Sequence, residues 1–138
     1  MNQFGLRKIM IVDDEEDIRT IASMALELTG GFTIALAASG QQAIDEAPDF
    51  VPDIILLDFM MPGMDGPATL RVIQSHPTLS QVPIVFMTGK VQPQEVAECL
   101  AMGAIAVISK PFEAMKLAQQ VQNIWDMSQQ TLPAGYGE

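Results

Sequence analysis

The sequence predicts an α/β domain, a doubly wound three-layer sandwich with a parallel five-stranded sheet between two layers of helices. Three observations predict it. Five short apolar runs alternate with five stretches in which apolar residues recur every three or four positions, the alternation that builds strand–helix–strand crossovers. The run Ile54-Ile55-Leu56-Leu57 is continuously apolar, as in a strand buried on both faces. The chain has 138 residues, 49% of them hydrophobic, which is enough for one packed core and too little for two domains.

The first strand is Lys8-Ile9-Met10-Ile11-Val12, ending in Asp13-Asp14. Ile18, Ile21, Ala22, Ala25 and Leu28 then trace one helical face, and Gly30-Gly31 stops that helix. Phe32-Thr33-Ile34-Ala35-Leu36 is the second strand, and Ser39 opens the second helix as its cap, with Gln42 in the capping-box position. Pro48 and Pro52 bracket the turn into the central strand, Ile54–Asp58, and Pro62, Gly63 and Gly66 mark the loop that follows it. The third helix, carrying Thr69, Leu70, Val72 and Ile73 and capped by Asp65, runs to His76-Pro77. Val82–Met87 forms the fourth strand, which ends in Thr88-Gly89-Lys90. Pro93 starts the fourth helix and Gly103 ends it. Ala104–Ile108 is the fifth strand, followed by Ser109-Lys110-Pro111 and a helix carrying Met115, Leu117, Val121, Ile124 and Trp125. From Met127 the pattern decays, so residues 1–126 are expected to fold and 127–138 to form a flexible tail.

Charge and composition narrow the function. A net charge of −10 repels nucleic acid and anionic membrane surfaces and favours cationic partners or a bound cation. The single cysteine, Cys99, allows no internal disulfide and fits a reducing compartment. No apolar run approaches the roughly 20 residues a membrane helix needs, and no stretch has the make-up of a signal peptide. A cytoplasmic location is expected. His76 is the only histidine, which argues against a histidine dyad or zinc cluster, and no Gly-x-x-x-x-Gly-Lys loop is present for a nucleotide.

The polar residues that matter lie at strand ends. Asp13 and Asp14, Asp58, Thr88 and Lys110 each follow a strand, and in a parallel sheet those ends converge on one edge, where open α/β sheets place their ligands. Carboxylates gathered there repel unless a cation neutralises them. An all-oxygen set suits Mg²⁺, and Lys110 adds a fixed positive charge. A carboxylate between Mg²⁺ and an ammonium is arranged to accept a phosphoryl group, with the Thr88 hydroxyl placed to donate to one of its oxygens. Glu15, Glu16 and Asp17 read instead as an acidic helix start.

With these motifs in order — Ile11-Val12-Asp13-Asp14-Glu15, Leu57-Asp58-Phe59-Met60-Met61-Pro62-Gly63-Met64-Asp65-Gly66, Met87-Thr88-Gly89, and Gly103-Ala104 leading to Lys110-Pro111-Phe112 — the chain resembles a response-regulator receiver domain of the stand-alone CheY-like kind over residues 7 to 126. The resemblance implies a flavodoxin-like fold with strand order 2-1-3-4-5 and a cis Lys110-Pro111 bond. It implies Asp58 as phosphoacceptor, Asp13 and Asp14 as the acid pair for Mg²⁺, and the Met60 backbone carbonyl as a further metal ligand. Thr88 and Lys110 are expected to contact the phosphoryl group. The implied partners are a histidine kinase or histidine phosphotransfer protein as donor and a downstream protein effector, with no direct nucleic acid or membrane contact. Such a domain assists its own phosphorylation and dephosphorylation and is not otherwise an enzyme.

One position departs from the family. Three residues before the lysine, where an aromatic usually stands, this chain has Val107. A valine has no ring to swing, so the output is expected to run through the loop from Thr88 to Pro93 and the helix after it. Val107 also gives weight to an alternative, a receiver-like module that works without phosphorylation. A hydrolase of the haloacid-dehalogenase type would need a second acid two residues after the nucleophile, where Met60 stands.

Overall fold

The computed structural model describes residues 5–130. Ten elements alternate: β1 (Lys8–Val12), α1 (Glu16–Gly30), β2 (Thr33–Ala37), α2 (Gly40–Phe50), β3 (Ile54–Asp58), α3 (Gly66–Ser75), β4 (Ile84–Thr88), α4 (Pro93–Met102), β5 (Ala106–Ser109) and α5 (Ala114–Gln130). The strands form one parallel sheet in the order β2-β1-β3-β4-β5.

The sheet separates two apolar clusters. Met10, Ile55, Leu57 and Phe86 face one way, against Ala43, Leu70, Ile73 and Cys99 of α2, α3 and α4. Ile9, Ile11, Ile54, Leu56 and Met87 face the other, against Ala22, Leu26, Leu117 and Val121 of α1 and α5. The central strand is therefore buried on both faces along its whole length, which is why it reads as an unbroken apolar run.

Three local expectations are corrected. Pro48 lies inside α2; a proline near the end of a helix costs one hydrogen bond there, and the helix runs on to Phe50 and closes on Val51, a valine in the left-handed region at φ 53°. The capping box of α2 is half made: the Ser39 Oγ accepts the Gln42 N–H at 3.1 Å, but the Gln42 side chain accepts from Ala38, not from Ser39. The α5 helix continues past Met127 to Gln130; the amphipathic pattern fades there, yet Met, Ser and Gln are compatible with a solvated helical turn. The remainder of the expected tail, 131–138, lies outside the described residues. Elsewhere, Gly31 ends α1 in the left-handed region, as its sequence suggested, and Asp65 caps α3 by accepting the Ala68 N–H at 2.9 Å.

Candidate functional site

Strand register builds the site. β1 and β3 pair with Ile11 beside Leu56 and Val12 beside Leu57, so the next step sets Asp13 beside Asp58 at the sheet edge. Asp13 is fully buried and Asp58 nearly so, whereas Asp14 is exposed. One oxygen from each of the three carboxylates lies within 4.8 Å of the others. Thr88 ends the neighbouring strand and is buried. Lys110 is anchored by its own N–H to the Thr88 carbonyl at 2.9 Å and precedes a cis bond to Pro111. The topology thus brings the strand-end residues picked out in the sequence to one edge.

Lys110 bridges the two buried acids, its Nζ lying 3.1 Å from Asp13 Oδ2 and 3.4 Å from Asp58 Oδ1. Burial alone would lower the lysine's pKa, but the hydrogen bond and charge of Asp13, then those of Asp58, hold it above the ordinary range. The Asp58 pKa also moves up, which for an acid disfavours the charged form. Burial first, and the Asp13 charge second, raise its carboxyl from 3.8 to about 6, against the opposing pull of Lys110 and the Met60 N–H. That N–H reaches Asp58 Oδ1 at 3.3 Å, while the Met60 side chain is largely exposed. Asp13 is held in place by the Glu15 N–H on Oδ1 and by Arg19, whose guanidinium donates to the Asp13 carbonyl.

Three carboxylates facing one ammonium leave uncompensated negative charge, and all the nearby side-chain donors to a cation are hard oxygens. That set fits Mg²⁺, a cation bound through carboxylates and water; Asp13, Asp14 and Asp58 could hold a metal ion. The Thr88 Oγ1 accepts the Lys90 N–H at 3.1 Å, and its own O–H meets no acceptor among the described residues, so that proton is available to an incoming oxygen.

Two residues beside the site escaped the sequence reading. Phe59 packs edge-on against Phe86, ring centroids 5.0 Å apart, and it divides two hollows. One, about 190 Å³, is lined by Phe59, Thr88, Lys90, Glu95, Glu98 and Cys99; the other, about 600 Å³ and mostly apolar, by Phe59, Met60, Met61, Pro62, Asp65 and Lys90. The signal was there: Ile55, Leu57 and Phe59 alternate onto one face, so the strand's pattern carries through Asp58. Gly66 is the second, because a Cβ there would lie 2.6 Å from the Asp58 carbonyl oxygen and 2.8 Å from Phe59 Cα.

Comparison with known proteins gives a consistent picture. The family model of the response regulator receiver domain matches residues 9–122. The regulatory protein AtoC of Escherichia coli is 36% identical over 86% of this chain and 25% of its own length. The DNA-binding response regulator MtrA of Mycolicibacterium paratuberculosis is 34% identical over 84% of this chain and 50% of its own. The chain thus spans between a quarter and half the length of these two curated relatives. Among solved structures, the chemotaxis response regulator CheY4 of Vibrio cholerae superposes with a TM-score of 0.80 at 28% identity, covering 86% of this chain and 98% of that one. A CheY-like receiver domain protein of Methanospirillum hungatei gives 0.74 at 34% identity, covering 89% and 97%.

Proposed function

The chain belongs to the response regulator receiver domain family of two-component signalling, and from that premise we propose that Asp58 is its phosphoacceptor. One observation carries the proposal: Asp58 stands at a sheet edge with Asp13 and Asp14 within 4.8 Å and the Lys110 ammonium at 3.4 Å. In this reading an Asp58 carboxylate oxygen attacks the phosphorus of a phosphohistidine in line, the P–N bond breaks, and the imidazole leaves. Lys110, already paired with Asp58, exchanges part of its bridge for a phosphoryl oxygen, and the Thr88 hydroxyl donates to another. Asp13, Asp14, Asp58 and the Met60 backbone carbonyl would hold Mg²⁺. When bound, that ion neutralises charge on the transferring phosphoryl group. Water later hydrolyses the acyl phosphate and restores the carboxylate.

The donor is then a histidine kinase or histidine phosphotransfer protein, and the phosphorylated form is read by a protein effector, with no direct nucleic acid contact. No described helix is long and apolar enough to cross a membrane, and we place the chain in the cytoplasm with its donor. The test is intact-mass spectrometry after incubation with acetyl phosphate and Mg²⁺. A phosphoryl adduct on the wild type, lost in Asp58→Asn and on omitting Mg²⁺, is the expected result. No adduct under any condition would overturn the proposal in favour of a module that works unphosphorylated, a reading to which Val107 lends weight.

A further inference from the structure

We infer that Arg19 is a positioning residue for the metal site: its guanidinium fixes the peptide that joins Asp13 to Asp14 and so aims the Asp14 carboxylate at the cation. The inference rests on Mg²⁺ being held by Asp13, Asp14 and Asp58. Two of these acids have partners of their own. Asp13 accepts from the Glu15 N–H at 2.9 Å and from Lys110 Nζ at 3.1 Å. Asp58 accepts from Lys110 Nζ at 3.4 Å and from the Met60 N–H at 3.3 Å. The Asp14 carboxylate is exposed and has no such partner among the described residues, yet one of its oxygens lies within 4.8 Å of those of its two neighbours. Its backbone alone places it there.

That backbone is pinned on both sides of Asp13. The Asp13 N–H continues the ladder with β2, donating to the Ala37 carbonyl at 3.0 Å. The Asp13 carbonyl lies past the last pair of the β1–β3 ladder, Val12 beside Leu57, in a fully buried residue, where an oxygen left without a donor is costly. Arg19 supplies the donor, its Nη1 lying 2.9 Å away. Because a peptide unit is planar, holding that oxygen also sets the direction in which the chain leaves for Asp14. Glu15, at the N-cap of α1, makes no side-chain capping bond, so Arg19 is the side chain through which α1 grips the acid pair. Charge makes the choice of residue informative. A cation near the start of a helix is opposed by the helix dipole, and Arg19 donates to a neutral carbonyl instead of pairing with Glu15, Glu16 or Asp17. By charge alone an arginine beside the acids repels a second cation, so its two effects on metal affinity have opposite signs.

The experiment measures binding of Mn²⁺, which shares the preference of Mg²⁺ for octahedral oxygen ligands. Free Mn²⁺ is read by electron paramagnetic resonance as it is titrated into the full chain, and Mg²⁺ is then added to displace it. Arg19→Met keeps the aliphatic stem that packs on the helix and removes both donor and charge; Arg19→Gln replaces it should circular dichroism show that the methionine variant does not fold. Residues that orient metal ligands are worth roughly 10–100-fold in affinity, so Arg19→Met is expected to bind Mn²⁺ about tenfold more weakly. Arg19→Lys, which returns a donor to the carbonyl, should recover part of the loss. Ala25→Gly loosens the same helix at a buried position away from the acids and should leave Mn²⁺ affinity unchanged. Unchanged or tighter binding in Arg19→Met would overturn the inference, as would an equal weakening in Ala25→Gly. If the wild type binds neither ion, the metal site itself fails and the inference falls with it.

Discussion

Under the proposed function Asp58 carries opposed demands, since it lies buried among acids at the sheet edge, yet must be ionised to attack phosphorus. Its carboxyl is raised from 3.8 to about 6, so without metal the folded state holds a proton on this group more tightly than the unfolded chain does. The sign follows: stability falls as pH rises from about 4 through about 6, and above that the full penalty for the ionised group is present. Each pKa unit corresponds to roughly 1.4 kcal/mol, so Asp58→Asn should stabilise the metal-free fold by roughly 1–3 kcal/mol at pH 7. Urea unfolding in a chelator, run at several pH values, checks this; the gap between wild type and variant should close towards pH 4. At this scale the sequence was informative where chemistry and position coincide. Asp58 ends an unbroken apolar run, and Lys110 directly follows the last strand. That Lys110 sits closer to Asp13 than to Asp58 depends on the fine placement of two chains of atoms, which no spacing encodes.

The elements that carry these residues show where the backbone tolerates change. Gly66 begins α3 directly under the strand end, and an added methyl would meet backbone atoms of Asp58 and Phe59, which cannot yield as a flexible side chain can. Gly66→Ala is therefore expected to displace the loop after Asp58 and to lower the acetyl phosphate labelling rate at least tenfold, while far-ultraviolet circular dichroism retains the fold. Val51 presents the opposite case. A β-branched residue at φ 53° is strained, and it is exposed and precedes β3, the strand that ends at Asp58. Val51→Asn should raise stability by about 1 kcal/mol without changing phosphorylation, as thermal melts and labelling together would show. Strand and helix order was legible throughout because the apolar periods are strong. The ends of α2 and α5 were not, since a proline late in a helix and a glutamine-rich last turn look like breaks in a pattern while the backbone continues.

For the whole molecule, seventeen acidic against seven basic residues leave a net charge of −10, and three of the acids meet at one edge. A ligand that binds the folded state alone stabilises it by mass action. Mg²⁺ at ten to a hundred times its dissociation constant should therefore add roughly 1.4–2.7 kcal/mol. Differential scanning fluorimetry should show the corresponding rise in Tm for the wild type and little for Asp13→Asn. The alignment of Asp13 with Asp58 also has a genetic consequence. Because it is set by the pairing of Ile9–Val12 with Ile54–Leu57, a one-residue slip sends a carboxylate to the opposite face of the sheet. Lineages of this domain should consequently accept codon insertions at the exposed Pro77–Thr78, between α3 and the buried Leu79, more readily than within β1. A single codon lost from within β1 would leave a chain of nearly the same composition whose two buried acids no longer meet.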